Sequence, residues 1–193
     1  MNWISKLENI DKKIVLLLNG KNNPILDEVM WMISDPLFGV PFYLFFIYLI
    51  YKNYQLRETI WIVILMLVVV GLGDFIAKNF IKDTIQRFRP SRNLDLSRQL
   101  NYYLKSNGEF YTGGLYGFVS NHATNMAAVG GLVFLFLRKQ HSKLWVLLFL
   151  FVITISYSRI YLGVHYLSDI IGGWILGLTL AQLGYILFNK FKK

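Results

Sequence analysis

The sequence predicts an all-α integral membrane helical bundle in a single domain, residues 1–193. Of the 193 residues, 55% are hydrophobic and only 16% are charged, which is more apolar than is usual for soluble domains. Several apolar runs approach the roughly 20 residues that cross a bilayer core. The net charge is +9, but the basic residues lie at the ends of these runs and form no nucleic-acid-binding module. We therefore expect membrane lipids, and not nucleic acid, as partners.

Two helices within residues 1–36 are predicted to lie at the membrane interface. In residues 1–20, apolar side chains recur at helical spacing with Lys and Glu between them, which is typical of an amphipathic helix. The segment 23–36 mixes Asp27, Glu28 and Asp35 with Trp31 and other large apolar residues. It predicts a second interfacial or partly inserted helix. This N-terminal portion is also the candidate for a sixth span.

Five clear spans are predicted from the remaining apolar runs, at residues 37–51, 60–80, 120–137, 144–156 and 165–188. Asp74, Lys78 and Lys82 recur every four residues near the end of the second span, so they should share a stripe that faces protein or water. Asp74 and Lys78 suit a structural ion pair as well as a role behind a site. Small residues in the last span, including Gly173 and Gly177, allow close helix packing.

The polar connector, residues 83–119, is predicted to be an outer-face loop that covers the functional site, because loops of this length in a compact domain are usually functional. The short loops at the opposite face are basic, which predicts that this face is cytoplasmic. The residues behind that prediction are Lys52, Arg57, Arg138, Lys139, Lys143, Lys190, Lys192 and Lys193. The outer face is also basic, and a bound phosphate would explain why. We expect a protein of the bacterial cell (inner) membrane with its site on the periplasmic or extracellular side.

The stretch 158–169 between the last two spans holds a candidate catalytic pair. His165 and Asp169 are four residues apart, so a helix starting near His165 would place them on one face. A carboxylate there can take the proton on one ring nitrogen and leave the other free as a base or nucleophile. Arg159 adds a planar set of donors that suits phosphate oxygens. A helix end facing lipid headgroups is the alternative for this stretch alone.

Two further segments are predicted to meet this stretch at the outer face. Lys82 ends the second span and Arg89 follows seven residues later, while His122 opens the third span. Two histidines, three cations and the amides of a helix start suit phosphoryl transfer through a phosphohistidine. The chain has no cysteine, and no paired acidic cluster or His-rich spacing competes with this interpretation. We therefore expect neither a metal nor another cofactor.

The motifs resemble those of the type 2 phosphatidic acid phosphatase family. A Lys is followed seven residues later by Arg-Pro, then comes Ser-x-His, then Ser-Arg with His and Asp six and ten residues beyond that Arg. The resemblance covers about residues 82–169. It implies that His165 is the nucleophile, Asp169 its orienting carboxylate and His122 the general acid. The phosphate ligands that it implies are Lys82, Arg89, Arg159, the Ser120 hydroxyl and the Asn121 backbone amide.

The middle motif departs from the family pattern. The usual form is Pro-Ser-Gly-His, and this chain has Val119, Ser120, Asn121 and His122. Asn supplies a backbone amide and tolerates left-handed geometry better than most residues. We expect a phosphate site that is retained with altered geometry.

The function expected from the sequence is metal-independent dephosphorylation of a lipid phosphate or diphosphate. Undecaprenyl diphosphate, phosphatidylglycerol phosphate, phosphatidic acid and lipid A remain open as substrates, and no protein partner is inferred. One alternative is a lipid phosphotransferase, and another is a lipid-binding or transport protein that has lost turnover. Arg87 is left open as a further phosphate or headgroup contact.

Overall fold

The computed structural model describes residues 3–191, and in this range the chain forms helices and loops with no β-strand. The helices are α1 (Trp3–Asn19), α2 (Pro24–Ser34), α3 (Val40–Asn53), α4 (Leu56–Ile76), the single turn α5 (Asp83–Ile85), α6 (Asn121–Leu137), α7 (Leu144–Tyr161) and α8 (Leu167–Phe191). The all-α prediction is confirmed. Met1 and Asn2 of the first predicted helix, and Lys192 and Lys193 of the orientation argument, lie outside the described residues.

Within residues 3–191, three helical stretches are long and apolar enough to cross a membrane: Leu56–Ile85, Leu144–Tyr161 and Leu167–Phe191. A fourth span would result if Pro24–Ser34 and Pro36–Asn53 cross together, although the chain bends by 70° between them. The apolar helix α6 has only 17 residues. The count of five spans stays a prediction.

Helix α6 lies at the centre of the bundle, where it packs along α8 and also contacts α3, α4 and α7. The glycines of α8 permit this contact. A Cβ at Gly177 would lie 2.2 Å from the Thr124 carbonyl oxygen, so only glycine fits at this crossing. The predicted role of the small residues in close packing is confirmed.

Helix α1 exposes much of its apolar stripe and packs on the protein through its second half. Trp3, Ile10 and Leu17 are 70%, 52% and 62% exposed, whereas Asp11, Val15 and Asn19 are buried. This arrangement suits a helix at the membrane interface, because lipid can cover an outward apolar face.

The helix ends differ from the predicted span boundaries where α7 ends and α8 begins. Helix α7 continues beyond Ser156 to Tyr161, so Arg159 lies in its last turn and not after it. The polar residues there suggested a loop, but they are bonded inside the bundle, as when Ser156 accepts a hydrogen bond from Trp174 at 3.0 Å. Helix α8 begins at Leu167, so His165 lies in the preceding loop.

The second predicted span ends in a wider helix. After α4 the chain forms the π-helical segment Ala77–Lys82, which has more residues per turn than an α-helix. Across this junction, Asp74 and Lys82 stay on one side, where both bond Asn121, and Lys78 departs from the predicted stripe. Lys78 is exposed and forms no ion pair with Asp74 within residues 3–191. The ion pair considered for these two residues is not formed.

Candidate active site

Backbone hydrogen bonds join the predicted segments to each other. The Ser120 amide donates to the Asp169 carbonyl oxygen at 3.0 Å, which ties the start of α6 to the start of α8. The Ser91 amide donates to the Gly163 carbonyl oxygen at 3.1 Å, which ties the connector to the loop before His165. The structure thus brings the three segments together, as the sequence predicts.

His165 and Asp169 form a buried pair. The Nδ1 atom of His165 lies 3.3 Å from Oδ2 of Asp169, and the two residues are 1% and 0% exposed. The sequence predicts that the two residues share a helical face, but His165 lies in the loop before the helix. Asp169 is at the third position of α8, where its carboxylate accepts a hydrogen bond from the Tyr166 amide at 3.0 Å and faces the ring of His165. A proton on Nδ1 leaves the lone pair on Nε2.

Three basic side chains form a cationic cluster around His165: Lys82, Arg89 and Arg159. Burial and the positive charges of Arg89, Arg159 and Lys82 hold the pKa of the His165 imidazole well below its ordinary value. His165 is therefore neutral at pH 7, which is the form in which a histidine acts as a nucleophile. Within residues 3–191, none of the three cations forms an ion pair with a carboxylate.

Arg159 is held inside the protein by neutral groups. One terminal nitrogen donates to the Ser34 side chain and the other to the Tyr111 hydroxyl at 2.6 Å. The residue is only 2% exposed, and its Nε atom has no hydrogen-bond partner within the described range. A buried guanidinium with an unused donor and no anionic partner suits an anionic ligand.

Arg89 is fixed by backbone carbonyl groups. Its Nε donates to the Tyr116 carbonyl oxygen at 3.1 Å and its Nη1 to that of Val164 at 3.4 Å. The connector makes room for it at Gly113, which has φ of +66° and where a Cβ would lie 2.7 Å from Nη1. Burial and the charge of Arg159 lower the pKa of Arg89. An anion between the two would relieve this repulsion.

Lys82 is positioned by Asn121, the residue that replaces the usual glycine. The Lys82 ammonium group donates to the Asn121 side-chain oxygen. The side-chain nitrogen Nδ2 of Asn121 donates to Asp74 Oδ1 at 2.6 Å, and the side-chain nitrogen of Asn125 also donates to Asp74, at 3.2 Å. Asn121 is the first residue of α6 and has no left-handed backbone, so the tolerance that the sequence suggested is not used. Its side chain links Lys82 to Asp74.

The remaining predicted residues lie at the N-terminus of α6. Ser120 is the N-cap of this helix, and its hydroxyl oxygen accepts the Ala123 amide at 3.5 Å. The hydroxyl proton remains able to donate. His122, in the first turn, is partly exposed, and its ring lies near the backbone of Ser34 in α2. The N-terminus of a helix favours a nearby anion through its free amides and its dipole.

Arg87 has a different role from the one left open by the sequence. It donates to Asp169 Oδ1 at 2.9 Å and to Asp11 Oδ2 at 2.7 Å, so its charge is already neutralised. Ser168 completes this carboxylate network by bonding both Arg87 and Asp11. Arg87 is therefore not available as a phosphate contact.

The sequence does not predict two residues that are bonded to the site's side chains: Asp11, through Arg87 and Ser168, and Ser34, through Arg159. Tyr111, which bonds Arg159, is predicted only as part of the connector that covers the site, and Asp74, which bonds Asn121, only as a charge that suits an ion pair as well as a role behind a site. Asp11 and Ser34 lie in helices that seemed interfacial by composition, and no motif marks them. Only the packing of α1 and α2 against the bundle identifies these two.

Residues 59–193 match the model of the PAP2 superfamily. The chain belongs to this superfamily. The resemblance seen in the motifs is thereby confirmed, and with it the assignment to an integral membrane protein of this fold. The match begins after α3, so the positions of Asp11 and Ser34 lie outside it.

Relatives and solved structures match nearly the whole chain. The chain is 29% identical to a lipid A 4'-phosphatase of Bacteroides thetaiotaomicron over 97% of its own length and 80% of the relative. It is 31% identical to a lipid A 4'-phosphatase of Porphyromonas gingivalis over 91% of its own length and 72% of the relative. The crystal structure of the transmembrane PAP2-type phosphatidylglycerolphosphate phosphatase from Bacillus subtilis superimposes with a TM-score of 0.71 at 25% identity, covering 96% of this chain and 87% of that one.

Proposed function

We propose that the protein hydrolyses the phosphate ester of a membrane lipid through a phosphohistidine at His165. The observation that carries this proposal is the buried His165–Asp169 pair, at 3.3 Å, beside three cations without a carboxylate partner in the described range. A neutral imidazole can attack phosphorus, and the cations can hold the non-bridging oxygens.

In the first step, Nε2 of His165 attacks phosphorus and the bond from phosphorus to the lipid oxygen breaks. His122 donates a proton to that leaving oxygen, so the lipid leaves as an alcohol. Lys82, Arg89 and Arg159 hold the phosphate oxygens. The Ser120 hydroxyl and the backbone amide of Asn121 at the start of α6 add neutral donors. Asp169 stabilises the positive charge that forms on the His165 ring.

In the second step, water attacks the phosphohistidine. His122, now neutral, accepts a proton from the water, the bond from Nε2 to phosphorus breaks, and inorganic phosphate leaves. No step requires a metal, because the cationic cluster supplies the positive charge that a divalent ion would otherwise provide. Release of phosphate that survives EDTA is therefore expected.

The substrate that we propose first is the phosphate monoester of lipid A. Two relatives that match most of the chain are lipid A 4'-phosphatases, and a structural neighbour is a phosphatidylglycerolphosphate phosphatase. Phosphatidylglycerol phosphate is therefore the second lipid to test, followed by undecaprenyl diphosphate and phosphatidic acid.

The test is phosphate release by the detergent-purified protein from each of these lipids, with and without EDTA. His165→Ala and His122→Ala should both abolish phosphate release. His141→Ala should not, because His141 lies in the loop after α6, away from the site, where it bonds Asn53 at the end of α3. If radiolabelled phosphate appears on an acceptor lipid and not free, the protein is a phosphotransferase. Phosphate release that persists in His165→Ala would contradict the proposed mechanism.

The leaving group separates the roles of the two histidines. p-Nitrophenolate leaves as a stable anion and needs no proton from His122. His122→Ala should therefore still release it from p-nitrophenyl phosphate, in a burst of about one equivalent per enzyme, because the second step still needs His122 as a base. His165→Ala should show no burst. Equal behaviour of the two variants would contradict the division into nucleophile and general acid.

We also propose that the site opens at the outer face of the membrane. The chain has no cysteine, so single cysteines can be labelled without background. Asn107→Cys in the connector and Lys139→Cys after α6 are at exposed positions. A membrane-impermeant maleimide applied to intact cells should label the first and not the second. The reverse pattern would place the site at the cytoplasmic face.

A further inference from the structure

A buried carboxylate on α1 is linked to the His165–Asp169 pair through Arg87 and Ser168. Asp11 is 1% exposed although its helix has an apolar stripe that faces outward. Its Oδ2 atom lies 2.7 Å from Nη2 of Arg87, and its Oδ1 atom accepts the Ser168 amide at 3.0 Å. Burying a carboxylate costs free energy unless it is paired and hydrogen-bonded. The contacts of Asp11 with Arg87 and Ser168 meet this requirement, and they indicate a role for the residue.

The contacts lead in two bonds from Asp11 to the catalytic pair. Arg87 bonds Asp11 with one terminal nitrogen and Asp169 with the other, the latter at 2.9 Å. The second oxygen of Asp169 faces the Nδ1 atom of His165. Asp11 also bonds the Ser168 amide at the start of α8, so it supplies from α1 a cap for the helix that carries Asp169.

The same network sets the charge behind His165. Asp11 and Asp169 carry two negative charges and Arg87 carries one positive charge, which leaves a net charge of −1. Without Asp11, Arg87 and Asp169 would cancel each other. The imidazole would then face the cationic cluster with no net negative charge behind it.

We propose that Asp11 is a positioning residue for the reaction: through Arg87 and Ser168 it fixes the placement of Asp169 and thereby orients and charge-balances His165. This proposal rests on the proposed function for its kinetic consequences. It goes beyond the three sequence motifs, because α1 lies outside the residues that match the family model.

The first test needs no turnover. The chain has three histidines, so a sample labelled with ¹⁵N-histidine gives few ring signals, and a His165→Gln variant assigns the one of interest. In the wild type, His165 should carry its proton on Nδ1, facing Asp169. In Asp11→Asn, the population should shift toward the form with its proton on Nε2. An unchanged tautomer in Asp11→Asn would overturn the proposal, whatever the substrate proves to be.

The second test is kinetic. Asp11→Asn should lower kcat about 10-fold, because small misplacements of a catalytic group are costly. The value of KM should stay within about twofold, since the cations that hold the phosphate are untouched. A fall in thermal stability with unchanged kcat would mean that Asp11 only anchors α1.

The pH profile distinguishes positioning from simple anchoring. Charged and titratable groups lie around the His165–Asp169 pair on the elements packed against it. Lys82, Arg89, His122 and Arg159 act on His165, Arg87 and Asp11 act on Asp169, and Glu8 acts on Tyr166 behind them. Loss of one negative charge disfavours the imidazolium, so the acid limb of kcat/KM should move to lower pH in Asp11→Asn. An acid limb at the wild-type pH would contradict the role in charge balance.

Two variants keep the outcome interpretable. Asp95→Asn removes a carboxylate that also holds α1, through Lys12 at 3.0 Å, but on the exposed side of the helix. It should leave the tautomer, kcat and acid limb unchanged. Ser168→Ala, a milder change in the same network, should shift the tautomer in the same direction as Asp11→Asn. Activity lost equally in Asp95→Asn would show that any loosening of α1 suffices, and the proposal would fail.

Discussion

Arg87 and Arg89 are two residues apart in the connector, and their guanidinium groups have opposite surroundings. Arg87 lies between two buried carboxylates, with N–O distances of 2.7 and 2.9 Å. Among the described residues, Arg89 bonds only carbonyl oxygens, and it faces a second buried arginine. The first arrangement is complete without a ligand, whereas the second has surplus positive charge that an anion can neutralise. In the mechanism that we propose, the carboxylate network supports the site and the cationic cluster holds the phosphate of the substrate.

The largest effect is expected from removal of the neutralised arginine. Arg87→Met should lower the free energy of unfolding in detergent by about 3–5 kcal/mol, because Asp11 and Asp169 would remain buried without their cation. Lys12→Met, which breaks an exposed ion pair with Asp95, should cost less than about 1 kcal/mol. If both variants unfold like the wild type, the carboxylate network is not a structural support.

The substrate-facing arginine should behave in the opposite way. Arg89→Ala should lower kcat/KM about 10²- to 10³-fold, as expected when a donor to a developing charge is lost. Its stability should change little, because the variant relieves repulsion with Arg159. Phosphate release and thermal unfolding measured on the same preparation give both quantities. An Arg89→Ala protein that is unstable but active per folded molecule would reverse our assignment of the two arginines.

An anion should stabilise the folded protein by binding at the cationic cluster and not at Arg87. Orthovanadate, which mimics five-coordinate phosphorus, should raise the midpoint of thermal unfolding, and at 100 times its Kd the added stability is about 2.7 kcal/mol. Arg159→Ala should show a much smaller shift at the same concentration. A shift of equal size in that variant would place the bound anion elsewhere.

The smallest effect should come from the residue that departs from the family pattern. Asn121→Gly removes the oxygen that accepts from Lys82, and KM should rise about fivefold, equivalent to one hydrogen bond of about 1 kcal/mol. Asn125→Ala is the matched control, because Asn125 bonds Asp74 at 3.2 Å but not Lys82. A KM that rises in the control and not in Asn121→Gly would mean that Asn121 does not position Lys82.

The difference between the two arginines also shows what the sequence could predict. Lys82, Arg89, Arg159 and His165 were identified because their spacing is characteristic and because polar residues are rare in an apolar chain. The same sequence could not separate Arg87 from Arg89, since both are basic residues of one connector. Only the position of Asp11 in space decides between them.

The helix pattern predicts the first helix but not which of its residues contact the protein. The apolar stripe of α1 correctly predicts a helix, and the residues that the helix buries, Asp11, Val15 and Asn19, carry no pattern of their own. The end of α7 and the start of α8 differ from the predicted span boundaries for another reason. Polar residues near Arg159 and His165 predict an edge of the bundle, although Ser156 and Arg159 are bonded within it.

The most direct test of the phosphohistidine mechanism is to trap the enzyme during turnover. The protein is mixed with ³²P-labelled lipid phosphate and quenched within milliseconds. The label should be bound to the protein, stable in alkali and lost in mild acid, as expected for phosphorus bonded to nitrogen. It should be absent from His165→Ala and should accumulate in His122→Ala when the donor is p-nitrophenyl phosphate. Label that remains on His165→Ala, or turnover without any labelled protein, would contradict the assignment of His165 as the nucleophile.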